Sequence, residues 1–304
     1  MTKKVLVMMG GFSAERDVSL VSGKGVAEAL RKKGYDVLEH DLKDVRVFLN
    51  VLSQEKPDVV FNALHGNWGE DGEIQGLLDL LQIPYTHSGL LASAVGMHKD
   101  ITKKICEDIG IKVARGQKMR VADFFEKKNS IAFPFVVKPV CDGSSVGVYI
   151  IKKEDDLKNV LYPNPDTEVL VEDFIEGKEL TCMCLDGKAY VVTEMRPKTQ
   201  FYDYDAKYTD GMTEHVLPAD IPEEAASLCK EYAEKLHKAL GCNTVSRCDF
   251  RYNPKDGVVF LEINTHPGMT PLSLVPEQAR FVGISYEDLC AKFVENATCR
   301  KLCG

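Results

Sequence analysis

Hydrophobic and polar positions along the first 66 residues alternate between two periods. KKVLVMMGG, Lys3 to Gly11, is a short apolar run ending in two glycines and predicts a buried strand. VSLVSGKGVAEALRKKG then places apolar residues at helical spacing and stops at Gly34, a residue suited to close a helix. YDVLEHDL and PDVVFNALHG predict a second and a third strand, the last ending at His65 and Gly66. Strand, helix and strand repeated in this way predict a parallel sheet with helices on its faces. HGNWGEDGEIQGLLDLL is a glycine-rich loop running into an amphipathic helix, where Glu70 and Asp71 are expected to cap and His65 to face a ligand. QIPYTHSG predicts another short strand, and the pattern changes near residue 95.

Beyond that point the chain becomes a different mixture. MHKDITKKICEDIGI predicts a helix carrying Lys99, and Ala132 to Val140 a strand carrying Lys138. The loop after it offers Gly143, Ser144, Ser145 and Gly147 and returns into a strand. Backbone N–H groups of such a loop fold over phosphate oxygens, although the spacing is not that of a Walker loop. Glu168 to Gly187 reads as two strands joined by an acidic segment, with Asp186-Gly187 turning the chain into AYVVTEMRP. Within the segment, Glu172, Phe174 and Ile175 are equally compatible with an adenine slot and with a plain connection. Cys182 and Cys184 share a strand face and are expected in the core. Residues 199–217 lack regular pattern and predict a functional loop or lid, with Lys207 and Tyr208 at its middle. A helix between Pro222 and Gly241 follows, and Ser285 predicts the N-cap of the last helix.

VSRCDFRY and VVFLEINTHPGMT carry the strongest chemical signal. The NPKDG turn between them predicts an antiparallel hairpin. Period-two alternation puts Arg247 and Asp249 on one face, and likewise Glu262 and Asn264. Two carboxylates and an amide beside an arginine make a hard, oxygen-rich site of the kind that holds magnesium together with substrate phosphates.

Composition narrows the alternatives. The 304 residues are 44% hydrophobic and 28% charged, typical of a globular chain with room for two or three domains. A net charge of −8 disfavours general nucleic-acid binding. The N-terminal apolar run is too short for a secretory signal, and no stretch has the length to span a bilayer, so a cytoplasmic location is expected. The ten cysteines form no paired C-x-x-C modules, which argues against zinc and for reduced thiols.

In order along the chain stand GGFSAERDVSLVSG, HGNWGEDGEIQG, the Lys99 helix, KPVCDGSSVGV, EDFIEGKE, DYDAKYTD, RCDFR and LEINTHPGMTPLSL. Together they resemble the D-alanine–D-alanine ligases of the ATP-grasp superfamily over essentially the whole chain. The resemblance implies an ATP-grasp fold, α/β overall, preceded by a Rossmann-like parallel-sheet domain. The corresponding divisions are 1–95, 96–180 and 181–304. It implies that Lys99, Lys138 and Ser145 contact ATP, with Glu172, Phe174, Ile175 and Glu179 around adenine and ribose. Asp249, Glu262 and Asn264 hold two Mg2+ ions, for which Mn2+ can substitute. Glu15 meets the ammonium of the first D-alanine in a network with Ser144 and Tyr208, and His65 lies on the substrate side. Lys207, Ser273 and Leu274 border the second D-alanine, while Arg247 and the Gly268 N–H face the oxyanion. A homodimer is also implied.

The implied reaction is ATP-dependent formation of D-alanyl-D-alanine through an acyl phosphate, for peptidoglycan precursors. The nearest alternative is a ligase joining D-alanine to a hydroxy acid such as D-lactate, or another ATP-grasp carboxylate–amine ligase. Tyr208 argues against the depsipeptide makers, which usually carry phenylalanine there. A nucleotide sensor without turnover is a further alternative, and retention of Arg247, Asp249, Glu262 and Asn264 argues against it.

Overall fold

The computed structural model describes residues 2–126, 128–141, 143, 147–198, 213–271 and 273–301. Strands β1 (Lys4–Gly10), β2 (Asp36–Leu42) and β3 (Val59–Asn62) form a parallel sheet in the order β2-β1-β3, with Lys4 opposite Asp36 and Val5 opposite Val59. The continuous apolar run of β1 suits a central parallel strand covered on both sides, and Val5 to Met9 are buried. Helix α1 (Arg16–Lys32) packs on one face through Val26, Ala27 and Leu30. Helix α2 (Val45–Glu55) packs on the other through Phe48 and Leu52. α2 is not among the expected elements, although Phe48, Val51 and Leu52 recur at helical spacing on its packed face. Its start is fixed by Asp44, whose carboxylate accepts from the N–H groups of Arg46 and Val47. QIPYTHSG forms no full strand: Tyr85 alone bridges Val60 on one side and Thr298 on the other.

A second sheet has the order β4-β7-β5-β6, all antiparallel, from β4 (Gly116–Arg120), β5 (Phe135–Pro139), β6 (Tyr149–Ile151) and β7 (Glu168–Asp173). Phe124, Phe135, Val137, Val169 and Val171 fill its core. The third sheet has the order β10-β9-β8-β11-β12, from β8 (Lys178–Leu185), β9 (Lys188–Pro197), β10 (Thr213–Val216), β11 (Val245–Asn253) and β12 (Gly257–Asn264). β10 corrects the expectation of an unpatterned stretch up to residue 217, since edge pairing with β9 makes Thr213–Val216 a strand. The Asp186-Gly187 turn has φ of 52° and 77°, the left-handed pair that a two-residue hairpin needs.

Helix α7 (Glu223–Leu240) covers the third sheet and ends at left-handed Gly241, as expected. Its own Cys229 is buried in the same core as Cys182 and Cys248 of the sheet. Burial pushes the Cys229 thiol up to about 12, so this sulfur behaves as packing. The last helices are α8 (Leu274–Phe281) and α9 (Tyr286–Glu295), the latter capped by the Ser285 hydroxyl. Leu289 and Phe293 of α9 return to the first sheet and close its core against Val7, Phe61 and Leu30. Ion pairs Lys3–Glu295, Lys32–Glu287 and Lys33–Asp288 rim that seam. Among the described residues no helix is long and apolar enough to cross a membrane.

Candidate active site

The β11–β12 hairpin places its polar residues as alternation requires. Arg247 is opposite Asn264 and Asp249 opposite Glu262, with a register shift immediately after Asp249. Such an irregularity re-aims side chains where a site is built. The Arg247 guanidinium forks onto both Asp249 oxygens, Nε to Oδ1 at 3.0 Å and Nη2 to Oδ2 at 2.8 Å. Thr181, the neighbour of Asp249 on β8, donates to Oδ1 at 2.6 Å. Glu262 faces Lys99 Nζ at 3.6 Å. Asn264 Oδ1 accepts from the backbone N–H of His266 at 2.7 Å, which orients its amide at the start of the turn. Among the described residues, no group of three or more His, Cys, Asp or Glu side chains is placed to hold a metal by itself. The donors are two carboxylates and an amide, and such a sparse oxygen set fits Mg2+ sharing its shell with substrate phosphates.

A second cluster lies between the two antiparallel sheets. Lys99 is the first residue of helix α5 (Lys99–Asp108), and its N–H donates to the Val140 carbonyl at 3.0 Å, tying the helix to the end of β5. Lys99, Lys103, Lys138 and Glu172 are all nearly inaccessible. One carboxylate oxygen of Glu172 meets Lys138 and the other meets Lys103. Burial alone would raise the Glu172 carboxyl, but the two ammonium groups hold it below the usual carboxylate range. Lys103 is a site residue that the motif comparison leaves out. Its signal is the four-residue spacing from Lys99, which puts both amines on one helical face. Gly116 makes room here, because a Cβ there would lie 3.0 Å from Lys103 Nζ and 3.1 Å from the Glu172 Cβ. Phe174 and Ile175 follow on the connection to β8, half-buried, and Glu179 pairs with Arg251 at 2.6 Å.

The third group surrounds the start of α1. Glu15 is buried at the N-cap position. Gly66 adopts φ +70°, and a Cβ there would sit 2.8 Å from Glu15 Oε2, so only glycine leaves that carboxylate its space. His65 is buried, with Nε2 at 2.9 Å from Ser22 Oγ and Nδ1 at 3.3 Å from Glu70 Oε1. Burial pushes the Glu70 carboxyl up, and the nearby Glu15 charge adds to this while His65 opposes it. The capping expectation for Glu70 is therefore corrected: this side chain orients His65. Asp71 does the backbone work, accepting from Trp68 N at 2.7 Å and Glu73 N at 3.2 Å.

Gly268 lies where this group meets the hairpin. A Cβ on it would lie 2.9 Å from Ser273 Oγ and 3.8 Å from His65 Cε1. Ser273 Oγ bonds the Thr270 N–H at 3.0 Å, and Leu274 is buried beside Met195. The structure thus gathers Lys99, Glu262, Asp249, Arg247 and Asn264 in one group, Lys138 with Glu172 in a second, and Glu15, His65, Gly268 and Ser273 in a third. Ser144, Ser145, Lys207 and Tyr208 lie outside the described residues.

Comparison with known proteins identifies the family. The family models described as D-ala D-ala ligase C-terminus and N-terminus match residues 105–295 and 39–88. The D-alanine–D-alanine ligase of Erythrobacter litoralis is 50% identical over 302 residues, covering 96% of this chain and 93% of that protein. The ligase of Novosphingobium aromaticivorans is 48% identical, covering 96% of each. The crystal structure of the Bacillus anthracis D-alanine–D-alanine ligase complexed with ATP superposes with a TM-score of 0.83 at 33% identity, over 97% of both chains. That of the VanG D-Ala:D-Ser ligase from Enterococcus faecalis gives 0.80 at 30% identity, over 97% of this chain and 99% of the other. Both halves of the chain and its overall fold therefore place it in the D-alanine–D-alanine ligase family of the ATP-grasp superfamily.

Proposed function

We propose that the protein joins two D-alanines with consumption of ATP, releasing ADP and phosphate and supplying the dipeptide for peptidoglycan precursors. The observation that carries this reading is the single polar face of Arg247, Asp249, Glu262 and Asn264, with Lys99 set against Glu262. Relatives named for this activity match nearly the whole chain at close to half identity. We divide the chain at 1–95, 96–180 and 181–304, with ATP between the second and third parts; the second boundary falls inside β8 of the third sheet.

Lys99, Lys138 and Ser145 hold the phosphates, and Glu172, Phe174, Ile175 and Glu179 surround adenine and ribose. The partners seen for the carboxylates in this structure, Arg247 on Asp249 and Lys99 on Glu262, are cations that balance the site's own negative charge. Asp249, Glu262 and Asn264 would hold two Mg2+ ions, which neutralise charge on the transferring phosphoryl group. Glu15 binds the ammonium of the first D-alanine, in a network with Ser144 and Tyr208, while His65 supports that end of the site. The D-alanine carboxylate attacks the γ-phosphorus and ADP leaves, giving an acyl phosphate. Lys207, Ser273 and Leu274 border the second D-alanine, whose amine attacks the acyl carbon. Arg247 and the Gly268 N–H stabilise the tetrahedral oxyanion, and phosphate departs. A lid carrying Lys207 and Tyr208 shields the acyl phosphate from water.

We further infer a cytoplasmic homodimer. Leu80 and Leu91, 74% and 71% exposed on helices α3 (Glu73–Leu80) and α4 (Leu90–Met97), support a dimer face on the first part of the chain. ADP release by the purified protein with and without D-alanine, with products identified by mass spectrometry, tests the function. D-alanine-dependent ADP and D-alanyl-D-alanine are expected. D-alanine-independent ATP binding without turnover, or a product containing D-lactate or D-serine in competition with D-alanine, would overturn the reading.

A further inference from the structure

Behind the Asn264–Gly268 turn lie two imidazoles that the reaction described above does not use. His87 and His266 are both about 1% exposed, and their rings pack together with centroids 3.9 Å apart and planes tilted by 35°. His87 also packs on Phe293 at 4.7 Å and on Phe61 at 5.6 Å, while His65 approaches His266 at 6.2 Å. His87 has φ +71°, a sparsely populated conformation for a residue with a side chain. It is held there from outside: Asn243 Nδ2 donates to its carbonyl at 3.3 Å, and the next residue, Ser88, accepts from Asn243 N at 3.1 Å. A strained backbone fixed by its surroundings points to a task for the side chain.

Hydrogen bonds tie both rings to the end of β3. Thr86 Oγ1 accepts from Asn62 N at 3.0 Å and shares a hydrogen bond with His87 Nδ1, also at 3.0 Å. The His266 ring is hydrogen-bonded to the Asn62 backbone. His87 Nε2 and His266 Nδ1 are buried with no partner among the described residues. Asn62 thus anchors one ring through Thr86 and the other directly. Burial keeps both rings neutral, with His87 lowered to about 3.

We infer that His87 is a positioning residue for ligation: packed against His266, it fixes the turn that carries Asn264 before it and Gly268 after it. The inference rests on the ligase reading, in which those two residues serve the metal and the oxyanion. His266 is the lever, since its backbone N–H holds Asn264 Oδ1 and its buried ring packs on His87. If the turn shifts, the Gly268 N–H no longer meets the oxyanion, the amine attacks more slowly, and the acyl phosphate has longer to escape to water. Each escape consumes one ATP and one water and returns D-alanine and phosphate without dipeptide.

The experiment compares wild type and His87→Asn, because asparagine tolerates the left-handed backbone but lacks the ring. Wild type is expected to release one ADP per dipeptide. The variant is expected to lose about 10- to 100-fold in kcat, the usual span for supports of a site, with KM for ATP within about twofold. Its ADP-to-dipeptide ratio is expected to rise above one. A lower folded fraction reduces kcat without changing that ratio, so a ratio of one in the variant would overturn the inference. Thr86→Val removes the hydroxyl between Asn62 and His87 at nearly constant volume and carries the same test should His87→Asn not fold. Uncoupling in Thr86→Val supports the inference, and tight coupling overturns it. A wild type that makes no D-alanyl-D-alanine would instead defeat the ligase reading itself.

Discussion

Glu172→Gln tests how the buried lysine pair is held. In the wild type the Glu172 carboxylate is 5% exposed and gives one oxygen to Lys103 and one to Lys138, which are 9% and 8% exposed. The amide keeps the shape but removes the negative charge, so two buried ammonium groups face a neutral group. Removing one partner of a buried ion pair costs about 3–5 kcal/mol, because the remaining charge is left without compensation. At roughly 2–4 °C per kcal/mol, the melting temperature without nucleotide should fall by about 6–20 °C. ATP should close part of that gap, since its phosphate oxygens replace the lost negative charge beside Lys138. Lys103→Met should cost less, because Glu172 still pairs with Lys138. The assay is thermal unfolding of the three proteins, each with and without Mg-ATP. A Glu172→Gln protein melting with the wild type in the absence of nucleotide would refute the reasoning.

Glu262→Gln should leave the fold intact and slow phosphoryl transfer by several orders of magnitude, on the order of the several kcal/mol a metal clamp supplies; normal ADP release from the folded variant would remove Glu262 from the metal site. Tyr208→Phe should shift the product ratio from D-alanyl-D-alanine towards D-alanyl-D-lactate, because the amine must shed a proton while the hydroxy acid arrives neutral. Competition between the two acceptors across a pH series reads this, and an unchanged ratio would place specificity elsewhere. His87 lies at about 3 in the folded protein against an ordinary value near 6.5, so the unfolded chain binds the extra proton between those limits. Its contribution to stability is complete above about pH 6.5 and is lost as pH falls, by up to about 1.4 kcal/mol per pH unit. Urea unfolding at pH 7.5 and pH 5 should show a smaller loss in His87→Asn than in wild type, and equal losses would contradict the assignment. Alkylation of Cys141, exposed at the start of the phosphate loop, should be blocked by Mg-ATP; equal labelling in mass spectra with and without nucleotide would make it a bystander.

What could be read from the sequence was what local geometry determines. Alternation along β11 and β12 puts Arg247, Asp249, Glu262 and Asn264 on one face, and the structure keeps all four there. The parallel sheet at the start and the helix ending at Gly241 were equally legible, because period and capping are short-range signals. Helix α2 is legible in the spacing of Phe48, Val51 and Leu52 although it is not among the expected elements, whereas β10 escapes because an edge strand of four residues depends on its partner β9. The role of Glu70 was misread because its neighbour in space is His65, held by the fold of the loop rather than by helix geometry.

The parts of the site that escaped the sequence share one physical cause. Lys103 and Glu172 are 69 positions apart, and Thr181 and Asp249 are 68. His87 and His266 are 179 positions apart. The four-residue spacing puts Lys103 on the face of Lys99, but its burial depends on β7 bringing a carboxylate against it, since a buried ammonium is tolerable only with its counter-charge in place. The same holds for the histidine pair, whose rings are anchored by Thr86 and by the Asn62 backbone. A motif records the groups that meet the ligand. The groups that hold them in place are selected by three-dimensional neighbours, so their failure should appear as uncoupling or lost stability rather than as a missing ligand contact.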